Sequence, residues 1–161
     1  MAVDYAYNVT IIPNPEKPID ANGTIVGWWL TLNLTNYRES GDEPTFYLQL
    51  WRCRGVSGSM TTFQLLGQTV VTANDEEGHK KIDLKVSDRL EAFEGDLIGI
   101  SMTGPGCLSY YRNISDTKCV FVGDRNTPEM KVGSTMNFSS VWFDDWTYDV
   151  EAILEPVVSG M

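Results

Sequence analysis

The stretch TFYLQLWRCRGVSGSMTTFQLLGQTVVT, Thr45 to Thr72, decides the fold class of this chain. Its first half alternates. Successive side chains of a strand point to opposite faces, so Phe46, Leu48 and Leu50 fall on one side and Tyr47, Gln49 and Trp51 on the other. Its second apolar run, Phe63 to Thr72, is almost continuous. Between them Gly55 to Thr62, rich in Gly and Ser, reads as a flexible connection. The whole is a hairpin in the core of an all-β domain. Cys53 stands at the end of its first strand.

The alternation continues on both sides of the hairpin. Tyr5–Ile12 places Tyr5, Tyr7, Val9 and Ile11 on one face and Asn8 and Thr10 on the other. Pro13, Pro15 and Pro18 lack the amide that a ladder needs and mark a turn. Ile25–Thr35 is the longest alternating run, with Val26, Trp28, Leu30, Leu32 and Leu34 facing one way and Trp29, Asn33 and Thr35 the other. Lys80–Val86 fits a strand with Ile82, Leu84 and Val86 inward. A helix through Ile82, Val86, Leu90 and Phe93 shares the spacing, and the β context favours the strand. Glu94-Gly95-Asp96 is a turn that launches Leu97–Met102. Leu108–Arg112 and Cys119–Val122 flank a loop holding Asn113, Ser134–Phe143 adds a strand, and Trp146–Leu154 alternates until Pro156. About nine strands and no helix predict a single domain over 1–161, an antiparallel two-sheet β-sandwich of jelly-roll type.

The 161 residues suffice for one sizeable core. Twelve basic against twenty-two acidic residues, a net charge of −10, turn the surface away from nucleic acid and from anionic lipid. No run of 18 apolar residues occurs, so no membrane insertion is expected. MAVDYAYNVT carries neither the basic nor the apolar region of a signal peptide, which a mature fragment, an excised module or a cytosolic protein would explain.

The compartment is read from sequons. Asn8, Asn22, Asn33, Asn113 and Asn137 each open an Asn-x-Ser/Thr triplet, and no Pro occupies a middle position. Ordinary residue usage supplies about one such triplet in a chain this long. Five predict a secreted or cell-surface glycoprotein. Asn8 and Asn33 fall on the more polar faces of their strands, where a glycan fits. The three cysteines suit the same compartment. Cys107 and Cys119 bracket GCLSYYRNISDTKC, and a disulfide closing that segment would stabilise by about 3 kcal/mol in the loop-entropy model. Cys53 pairing with either one is the alternative. The cysteine left over implies a buried thiol or an intermolecular bridge. The absence of a CxxC pair disfavours zinc.

Candidates for chemistry are few. His79 is the single histidine, sits beside Lys80 and Lys81, and has no GxSxG to serve, so it reads as a solvated turn residue. Asp144 and Asp145 form a carboxylate pair between Phe143 and Trp146. Glycoside hydrolysis needs two carboxylates roughly 5–10 Å apart across a cleft. Neighbours on a strand point to opposite faces, so the pair reads as a loop before the last strand. Calcium suits acidic turns better. Asp75, Glu76, Glu77, Asp116, Asp124, Asp144 and Asp145 are its candidates, with no DxDxDG register, and Asp144 and Asp145 are carried forward as possible ligands of a structural calcium. Trp28 and Trp146 fall on core faces. Trp29 and Trp51 fall on the opposite ones and, with Tyr47, form the candidate contact surface for a sugar ring or a protein partner.

Read in order, FYLQLWRCRG, FQLLGQTVVT, EGDLIGI, LSYY and WTYDVEAIL resemble β-sandwich modules of large secreted or cell-surface invertebrate proteins. Those modules carry a WRP-like strand end, a GQ-containing strand, a GD-I-G turn-strand and a late alternating aromatic strand. The resemblance covers roughly Gly23–Leu154, and Cys53 stands where such modules often have Pro. It implies an extracellular, non-catalytic module of adhesive or matrix type and transfers no functional residue. The expected function is therefore adhesion or assembly through protein or glycan partners outside the cell, self-association included. A carbohydrate-binding module built on Trp29 or Trp51 is the alternative, and a glycoside hydrolase is disfavoured.

Overall fold

A computed structural model describes residues 2–3, 9–32, 45–72, 78–103, 109–123 and 131–157. Eleven strands run through them: β1 Ala2–Val3, β2 Val9–Ile12, β3 Gly23–Leu32, β4 Thr45–Ser57, β5 Met60–Thr72, β6 Gly78–Asp83, β7 Leu90–Ala92, β8 Leu97–Thr103, β9 Ser109–Gly123, β10 Thr135–Tyr148 and β11 Val150–Pro156. A single 3₁₀ turn, Val86–Asp88, is the only helical element among the described residues.

The all-β, two-sheet prediction holds, with a difference in closure. The larger sheet has the order β1-β9-β10-β5-β4-β8-β2. β2 also pairs with β9, through Ile11 opposite Val122 and Ile12 opposite Phe121. Six strands thereby close into a barrel, in place of one open leaf of a jelly-roll sandwich. The smaller sheet, β11-β3-β6 with β7 also on β3, packs against it. Closure satisfies sheet edges that an open sheet would leave unpaired. It needs β2 to be buried on both faces, and Ile11 and Ile12 are 4% and 0% exposed.

Two cores result. Inside the barrel lie Ile12, Trp51, Phe63, Leu65, Met136 and Phe138. The rings of Phe63 and Phe138 meet edge-to-face at 5.2 Å, and Trp51 meets Phe138 at 5.1 Å. Between the barrel wall and the small sheet, Trp28, Leu30 and Leu32 of β3 pack with Phe46, Leu48 and Leu50 of β4. Trp28 Nε1 donates to Thr69 Oγ1 across that layer at 3.0 Å. β4 is thus buried on both faces, which is why its two alternating sets are both large. Each fully buried Leu, Val or Phe contributes roughly 1.5–3 kcal/mol.

Local structure departs from the expectations in five places. β4 and β5 run to Ser57 and Met60, which face each other, so the connection is the two residues Gly58-Ser59 rather than Gly55–Thr62. The β6 strand ends at Asp83, and Val86 is exposed on the 3₁₀ turn rather than inward. The Asn113 loop is part of β9, where Arg112 pairs with Trp146 and Thr117 with Asp144, leaving Asn113–Asp116 as a bulge. Asp144 and Asp145 stand within β10 rather than in a loop. Trp146–Leu154 is split between the sheets at Asp149, because β10 belongs to the barrel and β11 to the small sheet.

The EGD turn is a pin. Asp96, 2% exposed, accepts from Arg52 Nε at 2.8 Å and Arg52 Nη2 at 2.9 Å. Its Oδ2 also accepts from the Phe93 amide at 2.8 Å, and its backbone carbonyl takes the Ile19 amide. The bidentate hydrogen bond that Arg52 donates to Asp96, followed by the Asp96 charge, raises the guanidinium pKa above its ordinary value. Gly95 sits at φ +94°, a conformation that L side chains resist, and its amide bonds the Ile19 carbonyl. The pin joins β4, the β7–β8 turn and the Pro-rich segment at one end of the barrel.

Candidate functional site

Two surfaces carry side chains that could recognise a ligand. The first is the outer face of the small sheet. β3 pairs Trp29 with Lys81 of β6 and with Glu151 of β11, and Thr31 with His79. His79 is therefore a strand residue rather than a turn residue, and its side chain is exposed. Its ring stacks parallel to Trp29, with centroids 5.0 Å apart, and Lys81 Nζ lies 5.7 Å from the Trp29 ring. His79 Nδ1 is 3.2 Å from Thr31 Oγ1, and Thr31 donates to Asp149 Oδ2. Ile153 Cδ1 stands 3.3 Å from where a Cβ on Gly27 would be, so Ile153 lies over the next position of that face. Trp29 is half-buried, with its ring held by neighbours rather than presented flat. Thr31 Oγ1 is committed to hydrogen bonds with Asp149 and His79, an arrangement that orients β6 against Asp149 where the chain changes sheets.

The second surface was not legible in the sequence. Val86–Leu90 forms a ridge between two clefts. One, of about 560 Å³, is lined by Leu66, Val70, Ile82, Leu84, Leu90 and Val132 among others. The other, of about 530 Å³, includes Val86, Glu91, Phe93 and Val157. Arg89 lines both. Among the described residues six large hydrophobics are exposed, and five of them, Val70, Val86, Phe93, Val132 and Val157, line these clefts. Such clustering marks contact surface, whereas scattered exposed apolar residues mean nothing. Phe93 is fixed there by the pin, since the Arg52 guanidinium lies 4.2 Å from its ring centroid. The five come from separate strands and turns, so no periodic signal could have grouped them.

The predicted contact residues separate. Trp29 keeps an exposed part and Tyr47 is half-buried, but Trp51 is 0% exposed. The face that Trp51 shares with Gln49 points into the closed barrel, and Trp51 Nε1 donates to Gln49 Oε1 at 3.1 Å. Trp51 is thereby removed from any contact surface. Of the sequons, Asn22 and Asn137 are exposed. Their Oδ1 atoms accept from the Glu94 amide and from Thr62 Oγ1, each at 2.8 Å, which leaves the amide nitrogens for attachment. Asn8 and Asn33 lie outside the described residues, as does the side chain of Asn113.

The Cys107–Cys119 closure finds no support: Cys119 is a free thiol on β9, whose residues Ser109–Gly123 are laddered strand rather than a loop, and Cys107 lies outside the described residues. Cys53 and Cys119 are free thiols, Cys53 exposed and Cys119 half-buried. Under native conditions Cys53 is expected to react with an aromatic disulfide reagent at least about tenfold faster than Cys119, because only accessible thiolate attacks. Peptide mapping of the labelled protein measures this, and equal rates would contradict the burial difference.

The side chains of Asp116, Asp144 and Asp145, and the acidic residues Asp75, Glu76, Glu77 and Asp124, lie outside the described ones. Among the described residues no three His, Cys, Asp or Glu side chains converge on a metal position. Among the described residues no helix is long and apolar enough to cross a membrane. Comparison with protein-family models, curated proteins and solved structures finds no match to this chain.

Proposed function

We propose that this chain is a non-catalytic module of an extracellular glycoprotein, working by contact with a protein surface. The observation that carries this reading is the gathering of five of the six exposed large hydrophobics on the two sides of one ridge. Aliphatic side chains beside an Arg and a Phe suit a protein partner, which buries apolar area around such anchors. A sugar ring needs an open aromatic face, and Trp29 has His79 stacked against it. The extracellular placement is supported by the five sequons, of which Asn137 is exposed and stands outside both clefts, whereas Asn22 is exposed but lines the smaller cleft. Structural calcium at Asp144–Asp145 belongs to the proposal only as an accessory and carries none of it.

The test is intact mass of the protein secreted from a eukaryotic host, together with a glycan array. Glycan mass that falls in Asn137→Gln is expected, with a flat array that Trp29→Ala leaves flat. A chain without any glycan mass would sink the extracellular reading. Array binding that Trp29→Ala abolishes would replace the protein partner by a carbohydrate.

A further inference from the structure

We propose that a second copy of this chain docks across the Val86–Leu90 ridge about a two-fold axis. The inference rests on the reading of the ridge as contact surface and names its occupant. Two features point to a copy of the same chain. The first is shape. A projection with a hollow directly beside it is what a self-complementary interface requires, because a two-fold axis seats each ridge in the other copy's cleft. Val86, 79% exposed at the crest, is the side chain to insert, and the cleft walled by Leu66, Val70, Leu84 and Val132 is the one to receive it.

The second feature is charge. The segment Lys85–Glu91, KVSDRLE, holds two cations and two anions and is neutral, while the chain as a whole carries −10. Two such chains repel wherever acidic surfaces meet, so a neutral apolar patch is where they approach at least cost. A two-fold axis at the boundary of ridge and cleft also brings Arg89 of one copy towards Asp88 and Glu91 of the other. That pairing gives an attraction that a like-charged patch could not.

Sedimentation velocity tests this on the full chain. The wild type is expected to shift from monomer to dimer between about 1 and 200 µM, as for a micromolar interface. Val86→Asp and Val132→Asp, with unchanged circular dichroism, are expected to weaken dimerisation at least about tenfold. Arg89→Glu is expected to weaken it too, and mixing Arg89→Glu with a Asp88→Arg/Glu91→Arg double variant is expected to restore a heterodimer. A wild type that stays monomeric over the range overturns the proposal, as do variants that dimerise like the wild type. Glycan mass at Asn137 on a monomeric chain would sink the dimer alone. Absence of glycan mass on a ridge-dependent dimer would sink only the extracellular reading.

Discussion

Arg52→Leu is expected to destabilise the domain by about 3 kcal/mol or more, because it strands a buried carboxylate. Asp96 is 2% exposed and takes two hydrogen bonds from the Arg52 guanidinium. Without it, the carboxylate keeps only the Phe93 amide as a described side-chain partner. The larger part of the cost is the desolvation of that charge, since an intact pair with 24% exposure on the Arg side contributes less than its breakage takes away. For a chain of this length the expected fall in melting temperature is about 6–12 °C. Removing both charges, as in Arg52→Leu with Asp96→Asn, is expected to be milder than Arg52→Leu alone, because nothing charged is left buried. Thermal melts of the three proteins measure this. A double variant as unstable as the single one would show that the pair matters through packing on Phe93 rather than through charge.

Gly99→Ala should be costly in the wild type and nearly free once Trp51 is gone. The position a Gly99 Cβ would take is already occupied by Trp51 Nε1, with Trp51 Cδ1 2.5 Å away. A buried indole inside a closed barrel cannot move aside, so overpacking of about 1–3 kcal/mol is expected. Trp51→Leu by itself is expected to cost about 3 kcal/mol or more, by analogy with large-to-small core changes. It also frees Gln49 Oε1 from its bond to the indole. In that background Gly99→Ala fills part of the cavity, and a coupling energy of about 1–2 kcal/mol should separate the two effects of the same substitution. Denaturant unfolding of the four proteins gives the cycle. Additive effects would mean that the two residues do not share the space the structure assigns to them.

Both experiments probe features that the sequence showed only in part. The strands were readable because period-2 alternation is local. Phe46, Leu48 and Leu50 fall on a core face whatever the rest of the chain does, and so do Trp28, Leu30 and Leu32. The turn Glu94-Gly95-Asp96 was readable for the same reason. The partner of Asp96 was not, since Arg52 lies 44 positions away along the chain. Nor was the status of Trp51. Its parity placed it opposite the core, which was right, but β4 has a core on each side.

Ranking Trp51 as a contact residue failed because closure of the barrel is a tertiary event. It is made by two residue pairs, Ile11–Val122 and Ile12–Phe121, more than a hundred positions apart. His79 was misplaced by a similar cause. A histidine next to two lysines looks like a turn until β6 pairs with β3 and sets its ring on Trp29.

The sequence by itself determined that the chain is all-β, where most strands lie, which faces of β3 and β4 are apolar, and that five sequons are present. These follow from the side-chain period of an extended backbone and from composition, neither of which needs a partner strand. The tertiary structure alone decided that the larger sheet closes, that the outer set of the Thr45–Thr72 hairpin is an interior, and that Cys53 and Cys119 are free thiols. It alone gathered Val70, Val86, Phe93, Val132 and Val157 around one ridge. The reason is physical: register and closure are set by hydrogen bonds and packing between distant segments, and a period along one strand carries no information about which strand lies beside it.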